Sequence, residues 1–460
     1  MHKEEYINDL KGLIQIPSLK DESTVEEQAP FGKGCRQALD YMLHLASLYG
    51  FEVLDYDGYA GVISYGEQSE SIGMLAHLDV VPVEEEGWMV PPFSAEIVNG
   101  VMISRGVMDD KGAAMSGLYA LRYLRENNIQ LNKKILLILG CDEESGMQCM
   151  EYYKQNGGEI PSCGFTPDAS FPLIYGEKGG LHIVLKGMNE SCVKSLHGGQ
   201  RANVVIPQAN ASIEGNMMLE PLLLFYAQCH DLKAEIKEEG LQAEVKLEGV
   251  GAHGARPYAG KNAGVHLMRF LGEALNDDYC KTLSRMLEDW MGSGLGIAFE
   301  GDTMGFLTMN PGIIHMDEQI EVVIDIRYPN DIDADTIIQS IQQAINESGL
   351  PLELEVKKNV KPLYVDPNSE FIQTLLRSYQ QFSGDYDSKP FTIGGGTYAK
   401  KFANFVAFGP EFPHPSIPKG MQIGECHQTN EGMAIEDLIK AVAIYSDALI
   451  HLGGLQHANA

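Results

Sequence analysis

In Ser71–Val81, SIGMLAHLDVV, the seven residues from Ile72 to Leu78 contain a single polar side chain, His77. A strand with one wet face alternates apolar and polar residues. A nearly unbroken apolar run marks a strand covered on both faces, as in the parallel sheets of α/β proteins. Polar chemistry enters at the carboxyl end, where His77 and Asp79 stand two apart and share one face. Open α/β sheets build their sites in the crevice beyond those ends.

The pattern recurs outward from this stretch. Lys134–Gly146, KILLILGCDEESG, is a second apolar strand that ends in Asp142, Glu143 and Glu144. Helical spacing of apolar residues predicts helices over 30–48, from Gly112 through Glu126, and from Ser145. Short extended runs broken by glycine occupy 51–66. Strands alternating with helices predict a doubly wound, mostly parallel α/β layer.

Beyond residue 180 the character changes. GLQAEVKLEGVG, NAGVHLMRFLGEAL, GFLTMNPGIIHM, QIEVVIDIRYP, DADTIIQSIQQAINES and LELEVKKNV read as β, α, β, β, α, β. That order is the split βαβ, or ferredoxin-like, α+β unit. After 360, a helix over EFIQTLLRSYQQF, the segment FVAFGP and a helix from Ile435 resume the first style. The expected organisation is a catalytic domain over 1–180 and 361–460, with a lid domain inserted over 181–360.

Composition limits the partners. The 460 residues include 34 basic and 64 acidic side chains, a formal charge of -30 that repels nucleic acids and anionic membrane surfaces. At 44% hydrophobic residues, the chain has material for a large core. Eight scattered cysteines without a C-x-x-C pair read as free thiols of a reducing compartment. Residues 1–18 read as an amphipathic helix carrying acids rather than a signal segment. The expected location is cytoplasmic.

The polar residues at the strand ends have company. Asp109 and Asp110 are adjacent in SRGVMDDKGAAMSG, Asp168 follows a proline in GFTPDASFP, and His427 lies far along the chain in GECHQTNEG. Neighbouring carboxylates favour ionisation only when a cation shares them. Two histidines with several carboxylates suit zinc, cobalt or manganese. Two ions about 3.5 to 4 Å apart with a bridging carboxylate form the two-metal hydrolase arrangement. The glycine triplet Gly394, Gly395, Gly396 with Thr397 lacks the spacing of a phosphate loop.

HLDVVP, RGVMDDKG, CDEESG, TPDASFP, GAHGARP, DIRYP, GGGTYA and ECHQTNE occur in the order found in the M20 metallopeptidases. Over nearly the whole chain the sequence resembles that family, and within it the PepV-like bacterial dipeptidases. The resemblance implies a zinc-exopeptidase catalytic fold and two divalent metal ions, zinc foremost, with manganese or cobalt as alternatives. It implies that Asp109 bridges both ions, that His77 and Asp168 complete one site, and that Glu144 and His427 complete the other. By the same resemblance the Asp109–Asp110 peptide is cis, Asp79 accepts the second ring proton of His77, and Glu143 is the general base. His253 would stabilise the oxyanion, Asn203 and Arg327 would hold the substrate carboxylate, and Gly394, Gly395, Gly396 and Thr397 would line the substrate loop. The implied reaction is dipeptide hydrolysis. An M20 deacylase of N-acyl amino acids uses the same chemistry and is the alternative. The length of the insert implies a working monomer.

Overall fold

A computed structural model describes residues 2–214 and 219–455. The strand Ser71–His77 is buried at every position. It lies between Lys134–Gly140 and Cys163–Thr166 and runs parallel to both. Phe405–Ala407 then pairs parallel with Cys163–Thr166, so a strand from far along the chain extends the layer. At the opposite edge the hairpin Glu52–Tyr56 and Ala60–Tyr65 adds antiparallel to Lys134–Gly140. The result is a mixed sheet with a parallel centre.

Helices Lys111–Glu126 and Ile435–Gly453 pack on each other and on Ser71–His77, while Lys33–Leu48 covers the hairpin. In helix Lys3–Ile14, the buried residues Tyr6, Leu10, Leu13 and Ile14 fall at helical spacing and give it one apolar face. Its carboxyl end is closed from outside. Lys111, wholly buried, donates Nζ to the carbonyls of Leu13 at 3.3 Å and Ile16 at 2.6 Å. Gly140 ends its strand where a Cβ would lie 2.2 Å from the Tyr398 hydroxyl, so only glycine lets that ring cross.

The helix expected from Ser145 begins at Gln148 instead. The Asp142 carboxylate accepts the Ser145 hydroxyl, the Lys20 ammonium at 2.9 Å and the Gln148 N–H at 3.0 Å. Met147 adopts φ 58, which breaks the helix before it can propagate backward. Glu143 and Glu144 therefore sit in a turn.

Two compact units divide the chain: Met1–Gly176, Val365–Phe391 and Gly396–Ala460 form one, Glu177–Tyr364 and Thr392–Gly395 the other. Compared with crossings at 180 and 360, the second unit starts earlier because Gly179 and Gly180 already pair with Tyr328 and Arg327. It also takes in Thr392–Gly395.

The second unit is built on an antiparallel sheet of eight strands. Four of them, Thr308–Met316, Gln319–Tyr328, Gly179–Met188 and Leu352–Val360, lie side by side in that order. With helices Ala263–Leu275 and Ala334–Ser348 they make the split βαβ motif. Its first strand is thus Gly179–Met188, which corrects the reading that began the motif at Gln242–Glu248. Leu181, Ile183 and Leu185 alternate into the core and qualify the earlier segment. Gln242–Glu248 instead pairs with Gln208–Glu214 and Lys233–Glu239, in an extension joined through Val193–Gly198. Helices Glu220–His230 and Asp278–Leu287 also lie in stretches that the pattern left unassigned.

His266, on helix Ala263–Leu275, hydrogen bonds through Nδ1 to the Tyr226 hydroxyl at 3.0 Å. Burial first, and then the charges of His230, Arg269 and Lys261, push its pKa down to about 4. An unfolded histidine takes its proton near about 6.5. As pH falls through that value the unfolded chain binds a proton that the folded chain refuses, so stability present above it is lost toward pH 4. His266→Asn should flatten this loss: its thermal midpoint should drop less than the wild type's between about pH 7.5 and about pH 5. Equal drops would show that His266 contributes nothing to the acid side.

Candidate metal centre

Strand ends and the turns after them bring the polar residues of the first unit together. His77 closes its strand, Asp109 lies in the turn before helix Lys111–Glu126, Glu144 follows Lys134–Gly140 and Asp168 follows Cys163–Thr166. His427 comes from a loop after Phe405–Ala407 and has φ 65, a left-handed conformation unusual for histidine. His77 Nε2 stands 2.8 Å from Asp109 Oδ1 and 3.8 Å from Asp168 Oδ1. His427 Nε2 stands 2.9 Å from both Asp109 Oδ2 and Glu144 Oε1. Ligand atoms of His77, Asp109 and Asp168 all lie within 4.8 Å of one another, and so do those of Asp109, Glu144 and His427. Asp109 belongs to both groups and turns one oxygen to each histidine. The Asp109–Asp110 peptide is cis.

The donor chemistry fits divalent cations. His77 Nδ1 lies 3.0 Å from the Asp79 carbonyl, to which it donates, leaving Nε2 as the ligand nitrogen. Hydrogen bonds to Asp109 and then Glu144 hold His427 up to about 10. Burial opposes a charge on His77, yet its bonds to Asp109, Asp168 and Asp79 keep its pKa well above the usual range. Two of the acids are pushed the same way, toward holding a proton. Burial, followed by the Asp109 charge, pushes Asp168 up to about 7, and burial with Asp168 repulsion pushes Glu143 well above the carboxylate range. The cluster is short of positive charge, which two shared cations would supply.

Asp79 does more than serve His77. Its carboxylate lies 3.5 Å from His77 Nδ1, and the nearer acceptor is its own carbonyl. Asp79 Oδ1 and Oδ2 also accept the backbone N–H groups of Glu143 at 3.0 Å and Glu144 at 3.1 Å. Asp110 likewise accepts the His77 backbone N–H at 3.1 Å.

Glu431 closes the segment ECHQTNE. It is fully buried, and Oε1 accepts the N–H groups of Gly106 at 2.9 Å, Met108 at 3.0 Å and Asp109 at 3.4 Å. Arg105 holds its other oxygen at 2.5 Å and reaches the His427 carbonyl at 3.2 Å. One buried ion pair therefore ties the Asp109 turn to the His427 loop. The available signal was an arginine opening RGVMDDKG and a glutamate closing ECHQTNE.

Other candidates lie in the second unit. The loops of Asn203 and His253 are joined there: Gly254 N–H donates to the Asn203 carbonyl at 2.7 Å, and Val204 bridges His253. Arg327 engages Asp325 through Nε at 2.8 Å and Nη2 at 3.0 Å. A Cβ on Gly394 would come within 2.9 Å of the Ala255 methyl, so glycine permits the approach of these two segments. Gly395 stays with the second unit, whereas Gly396 and Thr397 belong to the first, where Thr397 Oγ1 accepts the Ala399 N–H at 3.2 Å.

The family model for peptidase family M20/M25/M40 matches residues 73–451. "Putative dipeptidase SH1171" of Staphylococcus haemolyticus is 36% identical, covering 97% of each chain. "Putative dipeptidase YtjP" of Bacillus subtilis is 35% identical, covering 98% of this chain and 97% of that one. The solved structure of the dipeptidase Dug1p from Saccharomyces cerevisiae is similar in fold, with a TM-score of 0.58 at 14% identity and coverage of 97% and 95%. The chain belongs to peptidase family M20/M25/M40.

Removing one partner of the Arg105–Glu431 pair leaves a buried charge and unpaired N–H groups. Glu431→Ala should cost about 3–5 kcal/mol of stability, and dialysed protein should retain less metal than the wild type. Thermal unfolding and elemental analysis check both. A variant matching the wild type in both would remove the clamp.

Proposed function

We propose that this member of the family is a metal-dependent dipeptidase that works with two divalent ions, zinc foremost, with manganese or cobalt as alternatives. The observation that carries the reading is the pair of ligand groups sharing Asp109, with Glu143 beside them and in neither. His77, Asp109 and Asp168 would hold one ion, and Asp109, Glu144 and His427 the other. Bound there, the ions would acidify a water and polarise the peptide carbonyl.

The chain's own groups do the rest. Glu143 takes the proton of the attacking water and delivers it to the departing amine. Its buried setting beside Asp168, which makes its carboxyl readily protonated, suits a group that must accept and then release a proton. Asp79 positions that base through the Glu143 N–H, so the base and the Glu144 ligand hang from one carboxylate. For the second unit we propose His253 as the donor to the developing oxyanion. Arg327 and Asn203 hold the terminal carboxylate, with Gly394, Gly395, Gly396 and Thr397 in the substrate loop. Asp325 occupies only the Nε–Nη2 edge of Arg327, which supports a binding role for Nη1.

A cytoplasmic working monomer completes the reading. Eight free cysteines support the compartment. Among the described residues no helix is long and apolar enough to cross a membrane.

Glu143→Ala should keep its metal by elemental analysis and lose turnover by about 10²- to 10⁴-fold; retained turnover would exclude Glu143 as the base. Chelator-stripped wild type should regain dipeptide hydrolysis when zinc, manganese or cobalt is returned, and should leave N-acetylated dipeptides intact. Cleavage of the acetylated compounds alone would instead make it a deacylase.

A further inference from the structure

The turn that carries Glu143 and Glu144 is held from two sides. On one side Asp79 accepts the backbone N–H groups of both glutamates. On the other stands Asp142, a wholly buried carboxylate whose only ionic partner among the described residues is Lys20. Lys20 Nζ donates to Asp142 Oδ1 at 2.9 Å and to Ser145 Oγ at 3.0 Å. One ammonium therefore grips the turn just before and just after the two glutamates. The other donors to the Asp142 carboxylate, the Ser145 hydroxyl and the Gln148 N–H, come from the turn and the helix that follows it. Among the described residues, Lys20 alone ties that carboxylate to another part of the unit.

The loop that supplies Lys20 is itself fixed to the segment after His77. The Ser18 carbonyl accepts the Val80 N–H at 3.1 Å, the Ser18 hydroxyl donates to the Leu78 carbonyl at 2.5 Å, and Leu19 bridges Val80 in parallel. Leu78 and Val80 flank Asp79, so both holds on the turn start from one braced stretch. The Phe31 ring, its centroid 5.5 Å from Lys20 Nζ, favours the ammonium where it stands. A lysine pairing with a solvated carboxylate contributes little. Here the lysine side chain is 32% exposed but its partner is fully enclosed. Removing the ammonium leaves a buried charge without its partner, which forces the turn to rearrange.

We infer that Lys20 is a positioning residue for hydrolysis: by holding Asp142 and Ser145 it fixes where Glu143 presents its carboxylate. The inference rests on the dipeptidase reading with Glu143 as base, and adds the residue through which the loop after helix Lys3–Ile14 controls that base. Glu144 keeps its own amide bond to Asp79, so Lys20 acts on the placement of the base rather than on retention of metal.

The test is steady-state hydrolysis of Ala-Ala, Leu-Ala and Asp-Ala, at saturating zinc, by wild type, Lys20→Met, Glu143→Ala and the variant carrying both substitutions. In Lys20→Met, kcat should fall about 10- to 100-fold, the scale of a reacting group displaced by up to about 1 Å, while KM moves less than about twofold. Elemental analysis should find wild-type metal content. In the Glu143→Ala background, Lys20→Met should change the residual turnover by less than about twofold, because a group that acts through the base has nothing left to position. Combining Lys20→Met with Asp142→Asn leaves no buried charge and should show the same loss of kcat, which decides the matter if Lys20→Met alone does not fold. An unchanged kcat, a loss expressed in KM, metal lost in step with activity, or an undiminished loss in the absence of Glu143 would each overturn the positioning role and leave the dipeptidase reading standing. Wild type that cleaves none of the three dipeptides would overturn both.

Discussion

Carboxylates do not collect in a buried crevice without positive charge to share, and the first unit is organised around that constraint. Asp109 is placed between two histidines, and Glu144, Asp168 and Glu143 close around it. The parallel centre of the sheet makes this possible. Strands running the same way end at the same edge, so residues distant in sequence arrive at one level. Phe405–Ala407 continues the layer and leads the chain toward the loop that supplies His427.

A second group of acids holds the first in place. Asp79, Asp110 and Glu431 are all buried, and each gives at least one oxygen to a backbone N–H group of a segment carrying a candidate ligand or base. Backbone donors fix geometry more firmly than side-chain donors do, because the peptide unit cannot rotate away. Arg105 supplies the compensating charge for Glu431, and its contact with the His427 carbonyl links two segments far apart in sequence. A mispositioned ligand by about 1 Å is costly in catalysis, which gives a reason for so many buried polar contacts.

The sequence by itself determined the layer type and the family. Unbroken apolar runs ending in histidine and acids specify buried parallel strands with chemistry at their carboxyl ends, and eight ordered motifs identify the relatives. It also drew His77, Asp109, Glu144, Asp168 and His427 toward one place, where the structure brings their ligand atoms together. Local pattern could not decide which strand opens the split βαβ motif, because Gly179–Met188 and Gln242–Glu248 both alternate acceptably and only pairing distinguishes them. Nor could it assign Asp79 to the Glu143–Glu144 turn or Arg105 to Glu431. Those roles are set by which backbone amide or side chain lies within hydrogen-bonding distance after the chain has folded. That is a property of tertiary packing, since the partners are far apart in sequence and carry no shared periodicity.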